Sequence, residues 1–359
     1  MQPTPVDVAL FAIILIVLTF PFKVKVVEEN LEAFLFVMGA TAVTVSGGWS
    51  LDLVKLAVEE PVAKGIVPAV LVAGLLFYYG RYAFERTMNG ILKSIPLSAV
   101  IFAVIVVLGL LASVITAIIA SLFLVEIVNL MPLERKNKIN LVIIACFSIG
   151  LGAVLTPLGE PLSTIAVVKL AGPPYNAGFW YLFDQLGILI VLGVIACALF
   201  GVLWVGRKAT RLVEKVKAGP EDGGLKAVII RAVKVYAFVA ALFLLGAGME
   251  IIINKYFIQL PAQALYWLNM LSAILDNATL TAAEIGPSMT QAQINAALMG
   301  LLISGGMLIP GNIPNIISAG KLGITSGEWA KLGVPMGLVL NAIYFVAIFF
   351  LGFTPRVGL

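Results

Sequence analysis

Two carboxylates stranded in apolar sequence are where chemistry is to be sought in this chain. Glu160 follows Thr156-Pro157-Leu158-Gly159 and precedes Pro161-Leu162-Ser163-Thr164 within the run 139–170. Asp276 and Asn277, with Thr279 two positions on, interrupt a second run, 258–287. An ionisable group at membrane depth is costly enough to be read first as functional. Oxygen-bearing side chains accompany the two acids: Asn312 and Asn315 within 290–322, and Ser113 and Thr116 within 96–130. Carboxylates set among hydroxyl and amide oxygens suit a hard cation such as Na⁺, or a proton. Burial favours a protonated carboxyl and a bound cation favours an ionised one. One acid can therefore hold either, which is exchange by competition. Glu160 and Asp276 are the expected Na⁺ ligands. Asn277, Thr156, Ser163, Thr164, Thr279, Asn312 and Asn315 complete the expected site, and Ser113 and Thr116 are its contribution from the first hairpin. Histidine is absent, which removes zincin motifs, Ser-His and Cys-His catalysis and imidazole relays together. Cys146 and Cys197 lie in apolar runs without metal-like spacing and read as packing residues. No catalytic residue, enzyme activity or resident cofactor is expected; the ions concerned are transported Na⁺ and H⁺.

The elements that must position these groups follow from composition. Of 359 residues, 61% are apolar and 12% charged, against about 45–50% and about 25% in soluble domains. With a mean hydropathy of +1.08, the chain reads as an all-α polytopic membrane protein, not as a soluble enzyme, a disordered chain or a disulfide scaffold. No acidic or basic tail points to nucleic acid, and no soluble partner is implied; the expected partner is the bilayer. Segment 6–22 reads as a crossing helix and not as a leader, since it lacks a basic start and a small-residue cleavage site. Further apolar runs occupy 31–48, 62–80, 96–130, 139–170, 183–206, 232–254, 258–287, 290–322 and 333–352. Runs 96–130 and 258–287 are long for one crossing and short for two, with polar residues at their centres. Irregular backbone survives at that depth only where protein or a wet cavity satisfies it, so both read as re-entrant hairpins. Runs 139–170 and 290–322 carry Pro157-Leu158-Gly159-Glu160-Pro161 and Pro310-Gly311-Asn312-Ile313-Pro314 and read as helices broken in the middle.

This layout places 17 Lys and Arg on one side and five on the other, with Lys234 inside a helix. By the positive-inside rule, the side with 17 is cytoplasmic and both termini are extracytoplasmic, in a plasma or inner membrane. The chain also repeats. Glu160 to Leu170 aligns without a gap on Asn312 to Leu322, and Ser113…Glu126-Ile127 on Ser272…Glu284-Ile285 with one residue of slippage. The expected organisation is scaffold helices over 1–61, a first inverted repeat over 62–206, a cytoplasmic linker over 207–231 and a second inverted repeat over 232–352. Each repeat carries a hairpin and a broken helix, the pointer to a transporter's midplane site. Glu126 and Glu284 read as interfacial, and Lys169 and Lys321 as cations complementing the ends of the broken helices.

On Leu275-Asp276-Asn277-Ala278-Thr279-Leu280-Thr281 and Thr156-Pro157-Leu158-Gly159-Glu160, the sequence resembles the ion transporter superfamily. Within it, the resemblance is to NhaD-type sodium/proton antiporters and to a prokaryotic cation-transporter family, over about 90–352. The antiporters usually have aspartate where Glu160 stands, and Ser113-Val114-Ile115-Thr116 lacks their acid or amide. The resemblance implies multi-pass antiport of Na⁺ for protons by a homodimer, with a mobile domain moving like an elevator against a scaffold. The alternative is a sodium-coupled transporter of dicarboxylates or oxyanions, whose relatives use hydroxyls, amides and helix N-termini.

Overall fold

The computed structural model describes residues 3–63, scattered positions between 67 and 90, 94–206, 224–256 and 260–352. The described residues are mostly helical, with no strand among them, and the chain is an all-α polytopic membrane protein. Helices α1 (Pro5–Lys23), α2 (Lys25–Glu29), α3 (Leu31–Ser46) and α4 (Leu51–Ala63) come first. The first repeat supplies α5 (Leu97–Ile115), α6 (Ala117–Leu130), α7 (Arg135–Ala153), α8 (Pro161–Lys169) and α9 (Tyr181–Gly201), which runs on as a wide turn to Gly206. Then follow α10 (Gly224–Tyr256), α11 (Ala262–Leu268), a 3₁₀ turn over Asn269–Ala273, α12 (Asn277–Glu284) and α13 (Gln291–Gly305). A second 3₁₀ turn (Ile309–Gly311), α14 (Ile313–Leu322) and α15 (Ser326–Phe349) complete the order. Five helices among the described residues are long and apolar enough to cross a bilayer: α5, α7, α9 with its extension, Val228–Ile252 of α10, and α15.

Local sequence sets the ends. Thr4, Thr290 and Thr325 begin α1, α13 and α15 with reciprocal capping boxes to Asp7, Gln293 and Glu328. Helix α14 ends on Gly323, whose φ of 58° a β-carbon would disfavour. Where the residues are described, the expected runs appear as elements, with three differences. Helix α4 has no counterpart among the apolar runs, because Asp52, Lys55, Glu59 and Glu60 interrupt its apolar residues. Leu53 and Ala57, one turn apart, nonetheless form a seam that packs with Val43 and Leu244. The expected linker 207–231 is not wholly linker: from Gly224 it is already α10, and 207–223 lie outside the described residues. Most of the run 62–80 also lies outside them. Arm α5 is, finally, 19 residues long, about 28 Å of helix, so this hairpin arm has the length of a full crossing.

The two segments read from the sequence as repeats interlock. Within the first, α5, α7 and α9 pack together; within the second, α11, α13 and α15 do so. The remaining pieces cross over: α6 packs on α14, and α12 packs on α8. Each hairpin's second arm thus rests on the other repeat's broken helix. Packing is close where glycine permits. A β-carbon on Gly152 would sit 1.9 Å from the Gly109 carbonyl oxygen, where α7 meets α5. In lipid such small-residue approach supplies the dispersion contact that apolar burial cannot. Helix α10 packs mainly along α3 and α4, and also touches α12 and α14.

Contacts also sort the loops into two ends. At one, Arg135 bonds the Leu322 and Gly323 carbonyls and pairs with Glu328 at 3.0 Å, while Lys234 pairs with Glu32 at 2.8 Å. At the other, the Tyr175 hydroxyl donates to the Met289 carbonyl and Tyr181 to Gln291 at 2.9 Å. The loops 131–138 and 321–331, assigned to one side from their charge, share an end, and 170–181 meets 286–291 in the same way.

Candidate functional site

Four short helices begin at one place. Thr116, Glu160, Asp276 and Asn312 stand at the N-terminal caps of α6, α8, α12 and α14. Thr116, Glu160, Asn277 and Asn312 line one cavity of about 270 Å³, together with Gly159, Pro161, Thr164 and Pro314. Asp276 faces the adjoining crevice, between Pro161, Ile313 and the α10 residues Val239, Leu242 and Phe243. The two breaks have matching backbones: Glu160 at φ −156°, ψ 160° and Asn312 at φ −154°, ψ 146°, each followed by a proline in the first turn. Proline suits that turn because its missing N–H has no helical partner there.

Glu160 is 6% exposed and caps nothing with its side chain. Its Oε1 is buried without a hydrogen-bond partner, as is Nδ2 of Asn277. Among the described residues, Asp276 and the Asn277 amide are close neighbours of its carboxyl, though no hydrogen bond between Glu160 and Asn277 meets normal geometry. An N-cap acid ordinarily accepts from the first-turn N–H groups. Here the carboxyl turns to the opposing hairpin tip, leaving an acceptor oxygen for a donor or cation that the described protein groups do not supply.

The first tip is fixed to the first break by backbone. Ala117 N–H donates to the Gly159 carbonyl at 2.9 Å, and the Thr156 hydroxyl donates to the Ser113 carbonyl at 2.5 Å. Thr116 adopts φ 75° and ψ 149°, a region that β-branched residues rarely occupy. Its hydroxyl accepts from Ile119 N–H at 3.4 Å. At the second break, Asn315 Nδ2 donates to the Gly305 and Leu308 carbonyls at 2.8 and 2.9 Å, closing the end of α13.

The expected site residues therefore divide. Glu160, Asn277, Asn312, Thr116 and Thr164 reach the cavity, with Asp276 next to it. Thr156, Ser163 and Ser113 spend their hydroxyls on the Ser113, Glu160 and Leu110 carbonyls, and Asn315 serves as a brace. Thr279 belongs to α12, but its side chain lies outside the described ones. Several carbonyls at the breaks are engaged by protein donors, so the side-chain oxygens are the more available ligands. Among the described residues no cluster of three or more Asp, Glu, Cys or His is present, which leaves a two-carboxylate arrangement.

Sequence reasoning missed what lies beyond the cavity. Glu126 is not a lone interfacial acid: Lys321, at the end of α14 and only 7% exposed, pairs with it across the repeats. Glu284, also expected at the interface, is 5% exposed and bonds Asn269. Asp7, 1% exposed, accepts from Lys255 at 2.5 Å and Tyr256 at 3.0 Å, tying α1 to α10. An acid near a helix start gave no signal for that pairing.

The family model described as "Protein of unknown function (DUF1646)" matches residues 7–351. No curated protein matches the chain.

Proposed function

We propose that the chain, which belongs to the DUF1646 family, is a secondary active transporter exchanging a monovalent cation, Na⁺, for protons. One observation carries the reading: the buried Glu160 carboxyl lines a cavity, beside a second carboxylate, with an oxygen that no described group satisfies. A carboxyl so placed binds a proton or shares a cation, and repulsion from Asp276 makes the two occupants exclusive. The interlocked repeats supply the two-sided framework that alternating access needs. In this reading the hairpins and broken helices move as one body against α1, α3, α4 and α10, as in NhaD-type antiporters, within a homodimer in the cell membrane. A cavity of about 290 Å³ between α10 residues such as Val235 and Phe238 and the α14 residues Ile316 and Ile317 supports a loosely filled seam there.

Sodium-coupled anion transport is the second reading, and the convergence of four helix N-termini favours it, since their dipoles attract negative charge. Glu160 and Asp276 already occupy two of those positive ends, so an anion would need a co-bound cation. Reconstituted vesicles under a pH gradient separate the two. Na⁺ addition should dissipate the gradient through wild type and not through Glu160→Gln, whereas Glu160→Asp should retain exchange with altered affinity. Na⁺-driven uptake of a dicarboxylate or oxyanion with no Na⁺-dependent proton flux would overturn antiport in favour of the second reading.

A further inference from the structure

Away from that cavity, α12 ends in a second buried acid. Glu284 Oε2 accepts from Asn269 Nδ2 at 3.0 Å, and the same amide nitrogen donates to the Ala297 carbonyl at 3.2 Å. Two acceptors on one nitrogen fix the orientation of the amide, because a flipped Asn269 would turn its oxygen on both. Two atoms are then left over. Glu284 Oε1 and Asn269 Oδ1 are both buried, both acceptors and both without a partner.

We propose that Glu284 is a proton-binding site in the second hairpin, holding its proton on Oε1 and donating it to Asn269 Oδ1. A carboxylic acid and a primary amide can exchange two hydrogen bonds, one in each direction. The N–H to carboxyl bond is already formed, and a single proton supplies the other, satisfying both orphaned oxygens. An ionised carboxylate would instead leave two acceptors unpaired and a charge uncompensated in a low-dielectric interior, where such groups neutralise.

Among the described residues no cation pairs with Glu284. Among them, the Asn269 amide is the donor that reaches this carboxyl. From α8, Lys169 directs its ammonium to the Ala282 carbonyl. From α13 come Gln291 and Asn295, which are uncharged and bond one another. From α11, the Tyr266 hydroxyl donates to the Asn341 carbonyl. On α10, Glu250 is exposed, and Asp276 stands at the far end of α12 beside the main cavity. Neither Glu284 nor Asn269 lines the cavities described above. A proton needs no cavity, whereas a cation would need further ligands.

This inference does not depend on the transport reading, and its test does not involve transport. Infrared spectra of the full-length protein in lipid at neutral pH are compared as wild type minus Glu284→Gln. The expected difference is one protonated-carboxyl C=O band, moving to lower frequency in D₂O. Asn269→Ala should shift that band to higher frequency by removing its hydrogen-bond partners. A difference containing only carboxylate bands, unchanged or altered by Na⁺, would overturn the proposal. Should Glu284→Gln not fold, wild type against Asn269→Ala decides alone: a shifted carboxyl band supports the site, and an unshifted one overturns it.

Discussion

At the residue scale the informative position is Thr116. In the sequence its hydroxyl draws attention, but in the fold its backbone is the distinctive part, with φ at 75° in a β-branched residue. Such conformers cost about 1–3 kcal/mol, and glycine gives back about 0.5–1 kcal/mol in chain entropy. Thr116→Gly should therefore stabilise the fold by about 1 kcal/mol net on that balance, read as a higher thermal midpoint in detergent, while slowing the proposed ion exchange because the tip is no longer held. Glu160 was legible because an acid between two prolines in an apolar run adds nothing to packing and is costly to desolvate. Thr156 and Ser163 were legible as polar residues but not in their role, since only the folded chain shows their hydroxyls spent on carbonyls. Glu284 reads as interfacial because nothing in its own segment announces that Asn269 and α13 cover it.

At the element scale, the interruptions between α5 and α6, between α7 and α8, ahead of α12 and between α13 and α14 were readable from proline, glycine and polar residues inside apolar runs. Which arm packs on which half-helix was not, because helices in lipid choose partners by fit between surfaces distant in sequence. Two substitutions test that fit. A β-carbon on Gly159 would lie 1.9 Å from the Ala153 carbonyl oxygen, so Gly159→Ala should force the first break open. The cost should be about 1–3 kcal/mol in a thermal or denaturant titration, with exchange lost alongside. Lys321→Met removes the partner of Glu126 and should cost about 1.5–3 kcal/mol, as for a charge-assisted bond. Adding Glu126→Gln should recover most of the loss, since the orphaned charge is what destabilises. Purely additive losses would show that the pair contributes nothing.

For the molecule as a whole, topology is the property most open to test. Lys136 and Pro287 are exposed, and Cys146 and Cys197 are buried, so single cysteines at the first two positions report on a quiet background. Impermeant maleimide should label them from opposite sides, Lys136→Cys from the cytoplasm; labelling from one side would rule out the inverted arrangement. The crossing of arms between repeats also has a consequence for how the chain is made. Helices α6 and α8 leave the ribosome long before α14 and α12, on which they pack. At ordinary rates of synthesis the interval is roughly 10–30 s. For that time a half-finished protein must hold Glu160 and two half-helices in the membrane without the elements that pack on them. Insertion machinery or a chaperone that shelters polar segments in lipid should therefore crosslink to ribosome-bound chains ending after α9 and release those that extend beyond α14.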